Sequence, residues 1–272
     1  MNKLAVAYRI YPKVSKVPPI FANDKLKLSE LCLRSFRDSL DGLDVRMWAL
    51  LDGCPPEYEE LFRKYFGDTN LEIEHLPSVG NAGSFGRQMD ILLGQDFSEY
   101  IYFAEDDYFY LPGQFHEMTD LIDNYDDVDF VSPYDHLDYY ELALQRRPCR
   151  VDFRGNRHWR TAATTCMTFL TSRQGLRDTE DVFRSYTKKN YDASLWMSAT
   201  KFNVFNPGFY LRALSDSFYS KIAAKMWMHS PIHNLFVQRR NLWTPLPSIA
   251  THMDSEHLSP GFDWQSEFAR YK

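Results

Sequence analysis

The sequence predicts an α/β fold with a mostly parallel central sheet flanked by helices, and three observations carry that prediction. Short apolar runs alternate with segments of helical periodicity through the first 110 residues. The connections between the runs are long enough for the crossover helices that parallel neighbours require. Polar or acidic residues follow directly on several of the runs, where open α/β sheets bind their ligands.

Leu4 to Tyr8 (LAVAY) reads as a first buried strand, and Leu28 to Leu40 (LSELCLRSFRDSL) as a helix with Leu28, Leu31, Leu33, Phe36 and Leu40 on or near one face. Val45 to Leu51 (VRMWALL) forms the second strand, closed by the turn Asp52-Gly53. The segment PPEYEELFRKYFG follows as a helix with proline at its start and Gly67 at its end. Leu71 to His75 is the third strand, GSFGRQMDILLG the third helix, and Tyr100 to Ala104 the fourth strand. Pro112-Gly113 then opens a new helix. From residue 134 to 165 the pattern becomes polar, aromatic and irregular, a loop-rich region with room for a hairpin and the expected seat of substrate specificity. Cys166 to Leu170 reads as a strand returning to the sheet, followed by helical segments near 173–186 and 191–200. No repeat or linker divides the chain, so residues 1–272 are expected to form a single domain, with a ligand-binding half over 1–131 and a second half over 132–272.

Composition limits the function classes. With 272 residues and 44% hydrophobic content the chain can build a substantial core. A net charge of −6 argues against a nucleic-acid binder, which needs a basic face to neutralise phosphates. Cys32, Cys54, Cys149 and Cys166 are scattered without a C-x-x-C pair, which indicates neither a zinc site nor a disulfide framework and suits a reducing, cytoplasmic setting. No run approaches the roughly 18 apolar residues of a membrane span.

The densest chemical signal is Glu105-Asp106-Asp107 at the end of the fourth strand. Adjacent carboxylates at the end of a buried strand raise one another's pKa unless a cation relieves them, and a divalent metal does so economically. Mg²⁺ or Mn²⁺ is typically held by one or two carboxylates with substrate phosphates supplying further oxygens. The plain alternative is a solvated acidic turn. Asp52, the Gly80-Asn81-Ala82-Gly83 turn and the acidic triplet all fall at carboxyl ends of strands, hence on one rim.

Taken together, VAYRIYP, a second strand ending in LLDG, SVGNAGSFGRQMD and a strand ending in EDD resemble a GT-A glycosyltransferase of the family-2 type. The resemblance covers residues 3 to about 131 well and continues more loosely toward residue 265. It implies that Arg9, Tyr11 and Pro12 line a nucleoside pocket and that Asp52 contacts the base. Asn81 and Gly83 would let the helix approach a nucleotide-sugar donor, with Arg87 near the diphosphate or the acidic motif. It further implies Asp107 as the direct Mn²⁺ or Mg²⁺ ligand, Asp106 on the donor's ribose or sugar, and Glu105 behind them in the metal site. Glu-Asp-Asp departs from the family's Asp-x-Asp pattern, which leaves the division between Glu105 and Asp106 open.

Inverting transfer needs a carboxylate base for the acceptor hydroxyl. Asp192 in NYDASLWMSA stands at the start of a helix, where a helix cap is the ordinary role, and the family's placement of its base favours it as the catalytic residue. Asp178, Glu180 and Asp181 form a second acidic group that reads as the solvated opening of a helix. The resemblance also implies a late histidine completing the metal site, and His252, directly after Ile249-Ala250, is preferred to His257. Sugar rings stack their C–H faces on aromatic side chains, which makes Trp159, Tyr139, Tyr140 and Trp196 acceptor contacts in a chain that is 16% aromatic. The acceptor class is a glycan or a lipid-linked saccharide.

The segment SFYSKIAAKMWMHSPIHNLFVQRRNLW admits two readings: a core helix with a basic solvent face, or a surface lying peripherally on an anionic membrane through Lys221 and Lys225. Arg239 and Arg240 fit either that surface or a donor diphosphate. Two rival functions share the fold class. A sugar-1-phosphate nucleotidyltransferase usually carries a glycine-rich basic loop after its first strand, where this chain reads AYRIYPKVSK, and a non-catalytic carbohydrate-binding protein would not need the intact triplet.

Overall fold

The computed structural model describes residues 3–14, 16–146 and 148–271. The first half alternates as the periodicity predicts: β1 (Lys3–Ile10), α1 (Lys25–Ser39), β2 (Asp44–Asp52), α2 (Glu57–Phe66), β3 (Leu71–Leu76), α3 (Gly80–Gly94) and β4 (Tyr100–Glu105). A short β5 (Tyr108–Tyr110) precedes α4 (His116–Asn124), β6 (Phe130–Val131) and α5 (Asp138–Glu141). The irregular region contains a hairpin, β7 (Val151–Arg154) and β8 (Arg157–Ala162). The returning strand β9 (Phe169–Ser172) starts three residues later than expected. Helices α6 (Arg173–Asp178), α7 (Glu180–Arg184), α8 (Asp192–Thr200), α9 (Pro207–Ala213), α10 (Ser217–His229) and α11 (Pro231–Phe236) follow. The chain closes with β10 (Leu242–Leu246), β11 (Ala250–His252) and α12 (Trp264–Arg270).

Nine strands form one sheet in the order β3-β2-β1-β4-β9-β6-β10-β8-β7. Seven run in one direction, and β9 and β8 run against them, so the sheet is mostly parallel with an antiparallel second half. Strand alternation loads both faces. From β1, Leu4, Val6, Tyr8 and Ile10 enter the core under α1, α2 and α4, while Ala5 and Ala7 face the core under α3 and α8.

A second sheet of two strands, unforeseen in the sequence, pairs β5 with β11 antiparallel and sets His252 opposite Tyr108. It ties the late chain to the residues that follow β4.

Candidate active site

The carboxyl ends of β1, β2 and β4 open into a shallow cleft of about 90 Å³. Its lining includes Arg9, Tyr11, Lys13, Asp52, Asn81, Ser84 and the triplet Glu105, Asp106 and Asp107. Parallel pairing in register explains the convergence: Arg9 lies opposite Glu105 across β1–β4, and Ile10 lies opposite Leu51 just before Asp52.

Each carboxylate of the triplet has its own partners. Glu105 accepts from Arg9 with one oxygen and from Thr168 Oγ1 at 2.8 Å with the other. Asp106 takes Lys25 Nζ at 2.7 Å and the Tyr11 backbone N–H at 3.1 Å. Asp107 meets His252 Nε2 at 3.1 Å, with the Met253 N–H donating to its backbone carbonyl at 2.7 Å. The charges respond. Burial pushes the Asp106 carboxyl above its ordinary range against the pull of Lys25. Burial also opposes ionisation of Asp107, yet the charges of His252, Lys25 and Arg9 draw it down to about 2. Burial disfavours the His252 imidazolium, and the Asp107 carboxylate outweighs it and raises the imidazole pKa.

The donor set suits a hard divalent cation. Asp106 and Asp107 offer oxygens and His252 an imidazole nitrogen, the mixture that Mn²⁺ accepts. Among the described residues no three His, Cys, Asp or Glu side chains stand ready as a metal group. Asp107 and His252, which meet at 3.1 Å, are the residues that could hold such a cation.

Arg9 is the cleft's structural keystone. Its guanidinium donates to Glu105, to the Asn81 carbonyl at 2.7 Å and toward Ser84 Oγ at 3.4 Å, and lies near the face of Phe85. Arg9→Met leaves the Glu105 carboxylate without its cation and should destabilise the protein by about 3 kcal/mol, read from a shift of the urea midpoint at unchanged slope. A change below about 1 kcal/mol would show that water compensates Glu105.

Asp52 is engaged differently from the base contact the resemblance implies. Its two oxygens accept the Val79 and Gly80 N–H groups at 2.7 and 2.8 Å, latching the start of α3 to the end of β2. Gly53, with φ of +68°, makes this possible, since a Cβ there would lie 2.3 Å from Ser78 Oγ. Tyr11 is exposed at the cleft edge with a ring free to stack, and Pro12 flanks it.

Several expectations need correction. Gly80-Asn81-Ala82-Gly83 is the first turn of α3 rather than a turn preceding it. Gly83 faces Val79, whose Cβ would be 2.7 Å from an added Cβ, so its smallness serves packing within the turn and not donor approach. Arg87 grips Glu74 with bonds of 2.7 to 2.9 Å on the outer side of α3, away from the triplet. The reason is helical phase: Ser84 and Gln88, not Arg87, point toward β1 and β4. Arg240 is held by Asp129 and Asp178 at 2.9 Å each, which removes it from the diphosphate. Trp196 is fully buried among Phe130, Phe169 and Phe183, and Trp159 is buried with its indole donating to the Arg154 carbonyl. Both are core residues and neither can meet an acceptor at this site. Tyr140 turns its hydroxyl to Asp135, outside the cavity that Tyr139 lines.

That cavity, of about 440 Å³, is lined by Tyr139, Gln145, Thr164, Cys166, Asp192 and Lys221 among others, a size that suits a saccharide unit. Asp192 is the first residue of α8, capped by Tyr191, and faces solvent through the cavity. The side chain is exposed to that hollow; partial desolvation by the cavity walls raises its carboxyl pKa, against the Ala193 N–H that it accepts, and the charge of Glu105 adds to the rise. Cys166 lines this cavity. Burial first, then the charges of Asp192, Glu105 and Asp107, push up its thiol, which bonds to Tyr108. The rival acids are spent on structural pairs: Asp178 with Arg240, Glu180 with Arg184, and Asp181 with His233. His257 pairs with Asp254 and not with the triplet.

Lys25, Thr168 and Tyr186 escaped the sequence analysis. Tyr186 lies close enough to feel the Arg9 charge and packs edge-on against Phe85. Only Lys25 left a signal: it opens α1 directly after the cap Asp24, where a cation opposes the helix dipole and calls for an acidic partner.

No family model matches the chain, and no curated protein does. Among solved structures, S. aureus TarS 1-349 in complex with UDP is similar at 15% identity and a TM-score of 0.46, over 72% of this chain and 54% of that one. The galactosyltransferase LgtC in complex with donor and acceptor sugar analogues is 11% identical with a TM-score of 0.43, over 92% and 86% of the two chains. A cytidylyltransferase from Leptospira borgpetersenii is 12% identical with a TM-score of 0.37, over 66% and 64%. The chain thus spans about half the length of the first of these. These are likenesses of outline alone.

Proposed function

We propose that this protein is a metal-dependent glycosyltransferase that moves a sugar from a nucleotide-sugar donor to a hydroxyl of a glycan or lipid-linked saccharide. The observation that carries the reading is the meeting of Asp107 and His252 at 3.1 Å, 145 residues apart in sequence, on the ligand-binding rim of the sheet. Two such groups at the end of a β-strand, beside an exposed aromatic ring and a lysine, suit a diphosphate–metal unit with a base stacked nearby. When bound, Mn²⁺ or Mg²⁺ would neutralise the charge growing on the departing diphosphate.

The chain's own residues supply the rest. Tyr11 offers a stacking face for the base, and Lys13 lies at the cleft as a phosphate partner. Asp106 stands where a ribose or sugar hydroxyl can bond, with Lys25 holding its charge. On the other side, Asp192 takes the proton of the acceptor hydroxyl, consistent with attack from the face opposite the leaving group and hence inversion. Tyr139 and Gln145 line the hollow in which the acceptor ring would sit.

A thermal-shift panel of UDP, GDP, TDP and CMP sugars tests the reading. One donor class should raise the melting temperature only with Mn²⁺ or Mg²⁺ present, by an amount equivalent to roughly 2.7 kcal/mol at a hundred times its Kd. Stabilisation by every donor without metal would defeat metal dependence. A response to nucleoside triphosphates with sugar phosphates instead would favour the nucleotidyltransferase. A response to free saccharides alone would favour a non-catalytic binder.

A further inference from the structure

The helical region beyond the cavity carries an apolar surface with its polarity reversed. In α11 the polar residues His233 and Asn234 are buried, while Ile232 and Phe236 are 70% and 80% exposed and Leu235 stands out beside them. Two polar contacts hold the helix this way round: Asn234 Nδ2 donates to the Met226 carbonyl at 3.0 Å and Lys201 donates to the His233 carbonyl, while Asp181 lies 3.5 Å from His233 Nδ1 without a hydrogen bond. The outward apolar face is therefore imposed by the packing. On α10, Phe218, Lys221, Lys225 and Met228 follow at intervals of three and four residues and form one stripe, with Met228 70% exposed. Leu214, just after α9, is 86% exposed.

Charge decides among occupants. Residues 201–240 hold six basic side chains against the single acid Asp216, in a chain whose net charge is −6; with Arg240 paired to Asp129 and Asp178 and Lys201 turned to the His233 carbonyl, Arg212, Lys221, Lys225 and Arg239 remain. A second copy of so acidic a chain would find only this same basic region repeated across a symmetric contact, whereas an anionic bilayer offers both an apolar interior and a negative surface. Among the described residues no helix is long and apolar enough to cross a membrane.

We infer that the α9–α11 surface docks on an anionic membrane, with Ile232, Leu235, Phe236, Met228 and Leu214 entering the headgroup boundary and Lys221 and Lys225 meeting the lipid phosphates. Phe218 and Lys221 also line the 440 Å³ cavity, so docking sets the mouth of that cavity at the bilayer. The acceptor it serves is then a lipid-linked saccharide whose sugar projects from the surface. This last step rests on the transferase reading; the docking itself does not.

The test is cosedimentation of the full chain with sucrose-loaded vesicles, with no donor, acceptor or metal added, so that its outcome is independent of transferase activity. The protein should bind phosphatidylcholine–phosphatidylglycerol vesicles, and binding should fall at least about tenfold with phosphatidylcholine alone or at high salt. Ile232→Ser with Phe236→Ser should also weaken binding at least about tenfold while leaving the melting temperature unchanged, because both side chains are exposed. Absence of binding to the mixed vesicles, or binding that the double variant leaves intact, overturns the proposal. A dimer in sedimentation velocity that the double variant dissolves, without vesicle binding, assigns the surface to a second copy and overturns it equally.

Discussion

Asp107→Asn is expected to remove metal-dependent donor binding and to lower turnover at least about a hundredfold, the largest single effect at the site. Asparagine keeps the shape and a polar oxygen for His252, and the backbone bond from Met253 to the residue 107 carbonyl is untouched, so the cleft should survive. What is lost is the charge that draws a divalent cation. Isothermal titration of the favoured nucleotide diphosphate, with and without Mn²⁺, reads the effect directly. If the variant binds and turns over as the parent does in metal, Asp107 is not a ligand and the metal-dependent mechanism fails with it. His252→Ala provides the graded comparison, with metal affinity expected to fall about 10- to 100-fold while some activity remains at high Mn²⁺.

The second large effect is at Asp192. Asp192→Asn should lower kcat by about 10²- to 10⁴-fold and leave donor affinity unchanged, since a base acts on the acceptor and not on the nucleotide. Equal loss of donor binding and transfer would make it a structural residue. The pH profile adds a second readout. Partial desolvation raises the Asp192 carboxyl above the ordinary aspartate range, and a base works only when ionised, so the acid limb of kcat should lie higher than 3.8. An ionised Asp192 is disfavoured by folding, so a cost appears as pH rises from the ordinary value through the raised one, and solvent screening keeps it small because the side chain is exposed. Asp192→Asn removes that cost, and unfolding at neutral pH should show no loss of stability. A variant that melts markedly lower would instead point to the helix-dipole contribution at the start of α8.

The sequence located most of the cleft because its residues sit at predictable ends of predictable strands. Asp52, Glu105, Asp106 and Asp107 needed only the alternation of strand and helix and the rule that ligands gather at carboxyl ends, whereas Arg9 came from the family resemblance. What a residue pattern lacks is direction. Arg87 and Ser84 lie on one helix three residues apart, and only the docking of α3 on β1 decides that Ser84 faces the cleft and Arg87 faces Glu74. Trp196 and Tyr139 are both aromatic residues of the second half. Both are buried, but Trp196 is enclosed by Phe130, Phe169 and Phe183 while Tyr139 keeps an edge on a cavity, a difference set by what packs around each.

By itself, then, the sequence determined the α/β class, the first four strands and the acidic rim, because these follow from periodicities of two and 3.6 residues acting over short stretches. The tertiary structure alone decided three things. Pairing β11 with β5 set His252 beside Asp107, Lys25 came to rest on Asp106, and α11 turned its apolar face outward. Each joins segments far apart in the chain, and such contacts depend on the whole packed arrangement rather than on any local pattern of residues.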